Sequence, residues 1–460
     1  MESKKAQPLS RPFFTFGGLD FFQTGHIRKL SRRENYDKIF FCNVSASGSG
    51  KQLKPDQARA FRLVCDEAAI PKVLALLESE GYESEGLPIS PFCRFLVRGP
   101  APLGRSLAAF FGYIYIQDKS SMLPPLALAP VPGSRTLDMC ASPGGKSIFL
   151  GQLAGPSGFV LANEPPGARL GTLRANLVRA SLPQIASCAY DGQKIPLVEN
   201  SWPYILLDAP CSGWGTAEKN PLAPKIWRGK KINPLLALQR GLLEKAAALL
   251  APGGLLLYST CTTNEAENEA QTRYAINELG LESAPLAPFA GFNFHEILPG
   301  TLRVDGPASG AQGFYLALLR KKSGDGRRPE NPAPTRAGLP VGTGPCLELP
   351  ENGRAELFGE TVRYIPQNLH LPAALVWQGY PLGKIRNGEF APQARLRNFL
   401  APKGQGAPVL QMDGPGEIHA LLSGACMYTG LAGAFAALYW RDLPLGFVVL
   451  KNGRPIPAFR

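Results

Sequence analysis

The stretch "RTLDMCASPGGKSIFL", residues 135–150, reads as a short strand, a turn built on Pro143, Gly144 and Gly145, and the start of a helix. A glycine turn at a helix start lets backbone amides approach a ligand closely. "GGKS" invites comparison with a phosphate-binding loop, but that loop needs a glycine where Cys140 stands, which argues against a nucleotide triphosphatase. The next strand-like segment, "GFVLANE", ends in Asn163 and Glu164, at the distance downstream expected of an acid that holds ribose hydroxyls. A third, "IASCAYDG", carries Asp191 at its end, placed to meet an adenine amino group. One acid at a strand end is usually a cap. A glycine turn followed by two acids at successive strand ends points instead to an adenosine-bearing cofactor.

Further along, "YILLDAP" and "GGLLLYSTC" read as strands flanking the helix-like "LLALQRGLLEKAAALL". Alternation of this kind predicts a parallel, doubly wound α/β sheet spanning residues 116–322. Residues 1–115, with the helix-like "IPKVLALLESEGY" and the strand-like "CRFLVRG", form a small α+β accessory module in this reading. Residues 323–345, rich in glycine, proline and charge, read as a mobile linker. Runs such as "ALYW" and "PLGFVVLKNG" make residues 346–460 a β-rich third module. No fixed-period repeat is present.

With 49 Lys and Arg against 36 Asp and Glu, the chain carries a formal charge of +13, densest in "KIWRGKK" and "LRKKSGDGRR". That excess fits a polyanionic partner, most simply nucleic acid, although solvated surface charge would look the same. The 9 cysteines lack any Cys-x-x-Cys pair and are odd in number, so neither a disulfide framework nor a zinc ribbon is expected, and no metal. The N-terminal stretch lacks a signal-type apolar core, and no apolar run is long enough to span a membrane. These features lead us to expect a soluble cytoplasmic protein, a monomer in the simplest case.

Cys211 in "DAPCSG" and Cys261 in "STC" both follow strands. Ligands of open α/β sheets bind beyond the carboxyl ends of strands, so the two thiols can face one pocket. A lone cysteine there is usually a small buried residue. Two at successive strand ends, each followed by polar residues, suggest chemistry.

Here the chain resembles the Nol/Nop/Sun family of RNA cytosine-5 methyltransferases. The likeness rests on "YIQDKSSMLP", "LDMCASPGGK", "DAPCSGWGT", "LQRGLLEKAAALLAPGGLLLYSTCT" and "NEAENE", and runs from about Tyr113 to Arg320. It implies a class I methyltransferase (Rossmann-like) fold, S-adenosylmethionine as cofactor and RNA as partner. Cys261 would attack C6 of a cytosine, and Cys211 would help remove the C5 proton and release the enzyme. Asp208 would hold the N3 and N4 edge of the base, and counts also among the cofactor contacts. Cys140, Ala141, Ser142, Pro143, Gly144, Gly145 and Lys146 would cradle the methionine part. Glu164 would take the ribose, Arg169 would lie near the cofactor and Asp191 would meet the adenine.

The target cytosine must be single-stranded or flipped out to reach a pocket thiol. The layout looks most like bacterial enzymes that modify ribosomal RNA, with the C-terminal module as an RNA-binding extension. Transfer RNA as substrate, a DNA methyltransferase, or a non-catalytic ribosome-assembly factor on the same fold are the competing readings. Basic residues around Lys225, Arg228, Lys230 and Lys231 and from Arg320 to Arg328, with Trp214 and Trp227, are candidate RNA contacts. Two departures from the family pattern stand out: Phe61 in "RAFRL", where an asparagine is usual, and Gln312 in "QGFY", where an aspartate is usual.

Overall fold

A computed structural model describes residues 59–216, 229–295, 298–324, 338–344, 346–367, 369 and 371–459. Most of the expected linker, together with Lys225, Trp227, Arg228, Arg327 and Arg328, lies outside the described residues, as does the side chain of Lys230.

The centre of the molecule is a mixed sheet. Its parallel part comprises β5 (Arg135–Asp138), β6 (Phe159–Asn163), β7 (Ile185–Cys188), β8 (Trp202–Asp208) and β9 (Leu250–Thr260), in the order β9-β8-β5-β6-β7. Helices α3 (Gly145–Ala154), α4 (Ala168–Ala180) and α5 (Asn233–Leu249) make the crossovers. β6 and β7 are buried at every position, as strands covered on both faces must be. α5 buries Leu235, Gln239, Leu242, Leu243, Ala246 and Leu249, one stripe at helical spacing, and exposes its other side. Because β5 pairs in parallel with both β6 and β8, chain direction switches there and opens a crevice at the strands' carboxyl ends. The antiparallel strand Phe314–Lys321 then joins β9 and completes the doubly wound sheet expected from the sequence.

Upstream lies a four-stranded antiparallel sheet of β1 (Ala60–Leu63), β2 (Glu83–Gly86), β3 (Cys93–Arg98) and β4 (Ile114–Ile116), packed on α1 (Ile70–Ser79), and the short helix α2 (Leu123–Leu128) leads from it to β5. Downstream are a five-stranded sheet within residues 339–392 and a four-stranded sheet within residues 409–457. The two ends of the described chain share one core, in which Phe61, Leu107 and Phe111 pack with Leu438, Trp440 and Phe459. Phe61 is fully buried in that core, so this departure from the family pattern fills space rather than facing an RNA.

Two features tie the downstream sheets to the central sheet. The two-residue strand Trp377–Gln378 pairs antiparallel with β7 and becomes the edge of the central sheet. Arg397, 3% exposed, donates to five backbone carbonyls: Val64, Phe111, Gly112, Arg179 and Ala180, at 2.7–3.1 Å. Its guanidinium also lies 4.4 Å from the centre of the Tyr113 ring.

Candidate active site

The glycine turn follows β5. Gly144 adopts a left-handed conformation (φ 108°), and a Cβ on Gly145 would come within 2.6 Å of the Gln117 and Tyr115 side chains. Only glycine at Gly145 therefore lets α3 start against β4. Asn176 of α4 donates to the Pro143 carbonyl at 2.8 Å, and the Ala141 amide donates to the Asn163 carbonyl at 2.9 Å, fixing the turn from two sides. Cys140 lies at the start of this turn, its thiol pushed well up by burial and by the nearby Asp138, Glu164 and Asp208 carboxylates.

Glu164, 3% exposed at the end of β6, accepts from the Ser142 amide at 3.2 Å and pairs with Arg169 at 3.1 Å. Arg169 in turn donates to the Ser142 carbonyl at 3.2 Å. The turn, Glu164 and Arg169 thus form one cluster. Asp191 stands apart from it: its carboxylate accepts from the Gln193 amide at 3.0 Å and caps its own turn after β7.

β8 and β9 are paired in parallel with Asp208 opposite Ser259, so the loops that leave them run side by side. This brings the two thiols together, with Cys211 Sγ and Cys261 Sγ 3.3 Å apart. Asp208 sits beneath them, accepting from Ser259 Oγ at 2.8 Å and from Lys146 Nζ at 2.7 Å. Lys146, grouped with the cofactor turn by sequence, therefore reaches across to the thiol side. Burial works against its charge, but the Asp208 carboxylate outweighs burial and raises the Lys146 pKa. The hydrogen bond between the thiols pulls Cys261 below the ordinary thiol value, Lys146 assisting against the opposing effect of burial. The same bond, with burial, pushes Cys211 well up, leaving it the protonated partner. A low-pKa thiol beside a cation is the arrangement of a reactive nucleophile.

Glu267, in "NEAENE", is fully buried, and its role was not read from the sequence. Its carboxylate accepts from the Ser212 amide (2.8 Å) and hydroxyl, from Gln239 Nε2 (3.0 Å) and from Asn264 Nδ2 (3.2 Å). Gln239 donates to the Pro210 carbonyl as well, and Ser212 meets Thr262 at 2.9 Å. One carboxylate thus braces the Cys211 loop against the Cys261 loop. An acid followed closely by buried polar neighbours was the only available signal. Glu267→Ala should strand these donors, lower stability by about 3 kcal/mol and slow any chemistry that needs both thiols, as read by denaturant unfolding alongside turnover.

Asp138, 1% exposed beside the Asp208 carboxylate, accepts from Ser147 Oγ at 2.6 Å while its other oxygen has no partner among the described residues. Burial, and then Asp208, push its pKa from an ordinary 3.8 to about 7, against the Ser147 hydrogen bond. The folded protein binds this proton more tightly than the unfolded chain does, so its contribution is fully present below pH 3.8 and lost as pH rises through about 7. Asp138→Asn should therefore match the unmodified protein at low pH and exceed its stability above neutrality by on the order of 3 kcal/mol. Unfolding curves across pH read this directly.

Trp214 is half-buried, with its ring nitrogen buried and unpartnered among the described residues, and Gly215 beside it is wedged against the Cys261 and Gly313 carbonyls. Among the described residues no cluster of His, Cys, Asp or Glu is placed to hold a metal, and no helix is long and apolar enough to cross a membrane.

A parallel sheet with a switch point at β5, a glycine turn there and an acid at the end of β6 define the class I methyltransferase fold. Residues 125–320 match the family model described as 16S rRNA methyltransferase RsmB/F, in line with the Nol/Nop/Sun resemblance. Ribosomal RNA small subunit methyltransferase F of Cronobacter sakazakii is 33% identical over 276 residues, covering 57% of this chain and 57% of the relative. The protein of that name in Escherichia coli is 38% identical over 229 residues, 48% of this chain and 47% of the relative. The chain therefore matches about half to three fifths of the length of these relatives. A methyltransferase homolog from Pyrococcus horikoshii aligns with TM-score 0.50 and 29% identity over 57% of this chain and 86% of that one. NSun6 from the same organism aligns with TM-score 0.51 at 21% identity, over 58% of this chain and 91% of that one, a likeness of fold.

Proposed function

We propose that the protein is an S-adenosylmethionine-dependent RNA methyltransferase that forms 5-methylcytosine in ribosomal RNA. The observation that carries this reading is the 3.3 Å contact between Cys211 and Cys261 above the Lys146–Asp208 pair. The cofactor side fits as well: the turn at Gly144 and Gly145 tolerates no Cβ, and buried Glu164 stands at the adjacent strand end, suited to ribose hydroxyls. Cys140 to Lys146 would hold the methionine part, Arg169 would order the Glu164 side, and Asp191 would meet the adenine edge. S-adenosylmethionine, when bound, supplies the electrophilic methyl group.

The Cys261 thiolate adds to C6 of the flipped-out cytosine, forming a sulfur–carbon bond and moving an electron pair toward C5. Asp208 accepts from the exocyclic amine and so selects cytosine, while Lys146 holds that carboxylate in place. Once Cys261 is bonded to carbon, the thiolate that had held the Cys211 proton is gone; Cys211 releases that proton to solvent and, after C5 carries the new methyl group, accepts the C5 proton. The C5–H electron pair restores the double bond and expels Cys261 as thiolate. One proton leaves for each methyl group gained. Both thiols are required because one must leave carbon while the other handles a proton.

The relatives' names support ribosomal RNA over transfer RNA, and a cytoplasmic location follows from that substrate. The test is transfer of labelled methyl from S-adenosylmethionine to deproteinised ribosomal RNA, small ribosomal subunits, transfer RNA and DNA, followed by nucleoside analysis. Label in 5-methylcytosine of ribosomal RNA or of the subunit supports the reading. Label only in transfer RNA would move the substrate, label in DNA would overturn the RNA assignment, and no label anywhere would leave a non-catalytic RNA-binding factor.

A further inference from the structure

Away from the thiols, the seam between the catalytic sheet and the downstream five-stranded sheet holds two adjoining cavities of about 160 and 760 Å³, which share Arg363, Gln378 and Gly379. Arg174, on α4, lines the smaller one with Arg363, on the strand Thr361–Pro366. The two guanidiniums thus come from opposite sides of the seam. Arg174 is held by Ser187 Oγ at 3.3 Å and Arg363 by the Gly379 carbonyl at 3.0 Å. Among the described residues, no carboxylate lines the smaller cavity. Among the described residues the one acid in the larger, Glu356, is already engaged by Arg354 at 2.6 Å and by the Gly338 amide at 2.8 Å. Burial, and then the Arg174 charge, lower the Arg363 pKa, as expected of like charges facing each other without a counterion.

Two cations fixed by neutral acceptors and facing one cavity are poorly placed unless an anion joins them. The larger cavity is bordered by Phe358, 39% exposed, and Val376, 74% exposed, an apolar wall beside the cationic niche. We infer that this seam binds the backbone of single-stranded RNA, one phosphate lying between Arg174 and Arg363 and the neighbouring nucleotide entering the larger cavity. A guanidinium pair suits a phosphate diester, which offers two charged oxygens without a titrating proton. The chain's charge of +13 favours the same occupant. The inference rests on RNA as the substrate class and gives the enzyme a hold on its substrate separate from the flipped base. Strand Trp377–Gln378 makes that hold rigid, because it stitches the downstream sheet onto β7.

The experiment is binding of a fluorescein-labelled oligocytidylate to the full chain, without cofactor, over a range of salt concentrations. Arg174→Gln and Arg363→Gln should each weaken binding and reduce the slope of log affinity against log salt by about 0.7, the value for one phosphate contact on a single strand. The double variant should reduce it little further, because both residues hold the same phosphate. Arg363→Lys should keep most of the slope. Gln378→Glu, which sets a carboxylate in the niche without removing an arginine, should lower the slope even if the arginine variants fold poorly. Unchanged affinity and slope in the glutamine variants and in Gln378→Glu would overturn the proposal. Equal competition by polyglutamate and by unlabelled RNA would also overturn it, in favour of an acidic protein partner. Binding needs no methyl transfer, so RNA held at the seam by a protein that methylates nothing would sink the functional reading alone. A working methyltransferase indifferent to both arginines would sink the seam alone.

Discussion

Cys261→Ala is expected to lower methyl transfer to RNA by a factor on the order of 10⁴ or more while leaving the protein folded. The effect is large because the cytosine ring is not nucleophilic at C5 until a group adds at C6. Among the described residues, Cys261 is the thiol held below its ordinary pKa at this crevice. The structural cost is small: the side chain is half-buried and, among the described residues, its side-chain hydrogen bond is to Cys211. Single-turnover transfer of labelled methyl, measured beside the thermal unfolding midpoint, separates the two effects. A Cys261→Ala protein that kept a tenth of the normal rate would remove the nucleophile from this residue. Serine would not rescue it, because a hydroxyl beside Lys146 remains protonated at neutral pH where a thiol does not.

Arg397→Ala is expected to be the most damaging single change to stability, on the order of 4–5 kcal/mol. Its five N–H···O=C bonds reach carbonyls at the end of β1, at the chain just before β4 and at the end of α4, so one side chain satisfies acceptors from three separate segments. Truncation would leave these acceptors buried without donors and open a cavity beneath the Tyr113 ring. Burial already lowers the Arg397 pKa, yet the surrounding carbonyls and the Tyr113 face keep the cation where it is. Arg397→Lys should recover less than half of the loss, since a compact ammonium has three donors and cannot span the carbonyls. Denaturant unfolding of the three proteins tests this. A loss below about 1 kcal/mol for alanine would mean that the carbonyls find water instead.

Much of the central sheet was legible because its determinants are local. The glycine turn, the largely apolar β6 and β7, and the amphipathic period of α5 each announce an element from neighbouring residues alone. The meeting of Cys211 and Cys261 was legible for a related reason: once both strands are parallel neighbours, the thiols that follow them share one end of the sheet. What stayed hidden depends on distant partners. Trp377–Gln378 is too short to show a period, and it becomes a strand because β7 offers an open edge. The downstream segments read as a module of their own, yet Phe459 packs against Phe111 at 5.2 Å between ring centres, a contact no local pattern encodes. Nothing local in "RAFRL" marks the place of Arg62. It is fully buried, donates to the Gly145 carbonyl at 3.2 Å and lies 4.5 Å from the Phe149 ring, so the first sheet helps set the cofactor turn. Lys146 was read with the cofactor turn; in the fold it lies in the first turn of α3, and its reach to Asp208 comes from the sheet order that sets β8 beside β5.

The most direct test of the division of labour between the thiols is to isolate Cys211→Ala and Cys261→Ala from cells and look on a denaturing gel for protein bound covalently to RNA. The geometry predicts an adduct with Cys211→Ala, whose Cys261 can attack but is not released, and none with Cys261→Ala or with both thiols replaced. The trapped RNA, sequenced, would identify the target cytosine. An adduct from Cys261→Ala and none from Cys211→Ala would make Cys211 the nucleophile and contradict the assignment.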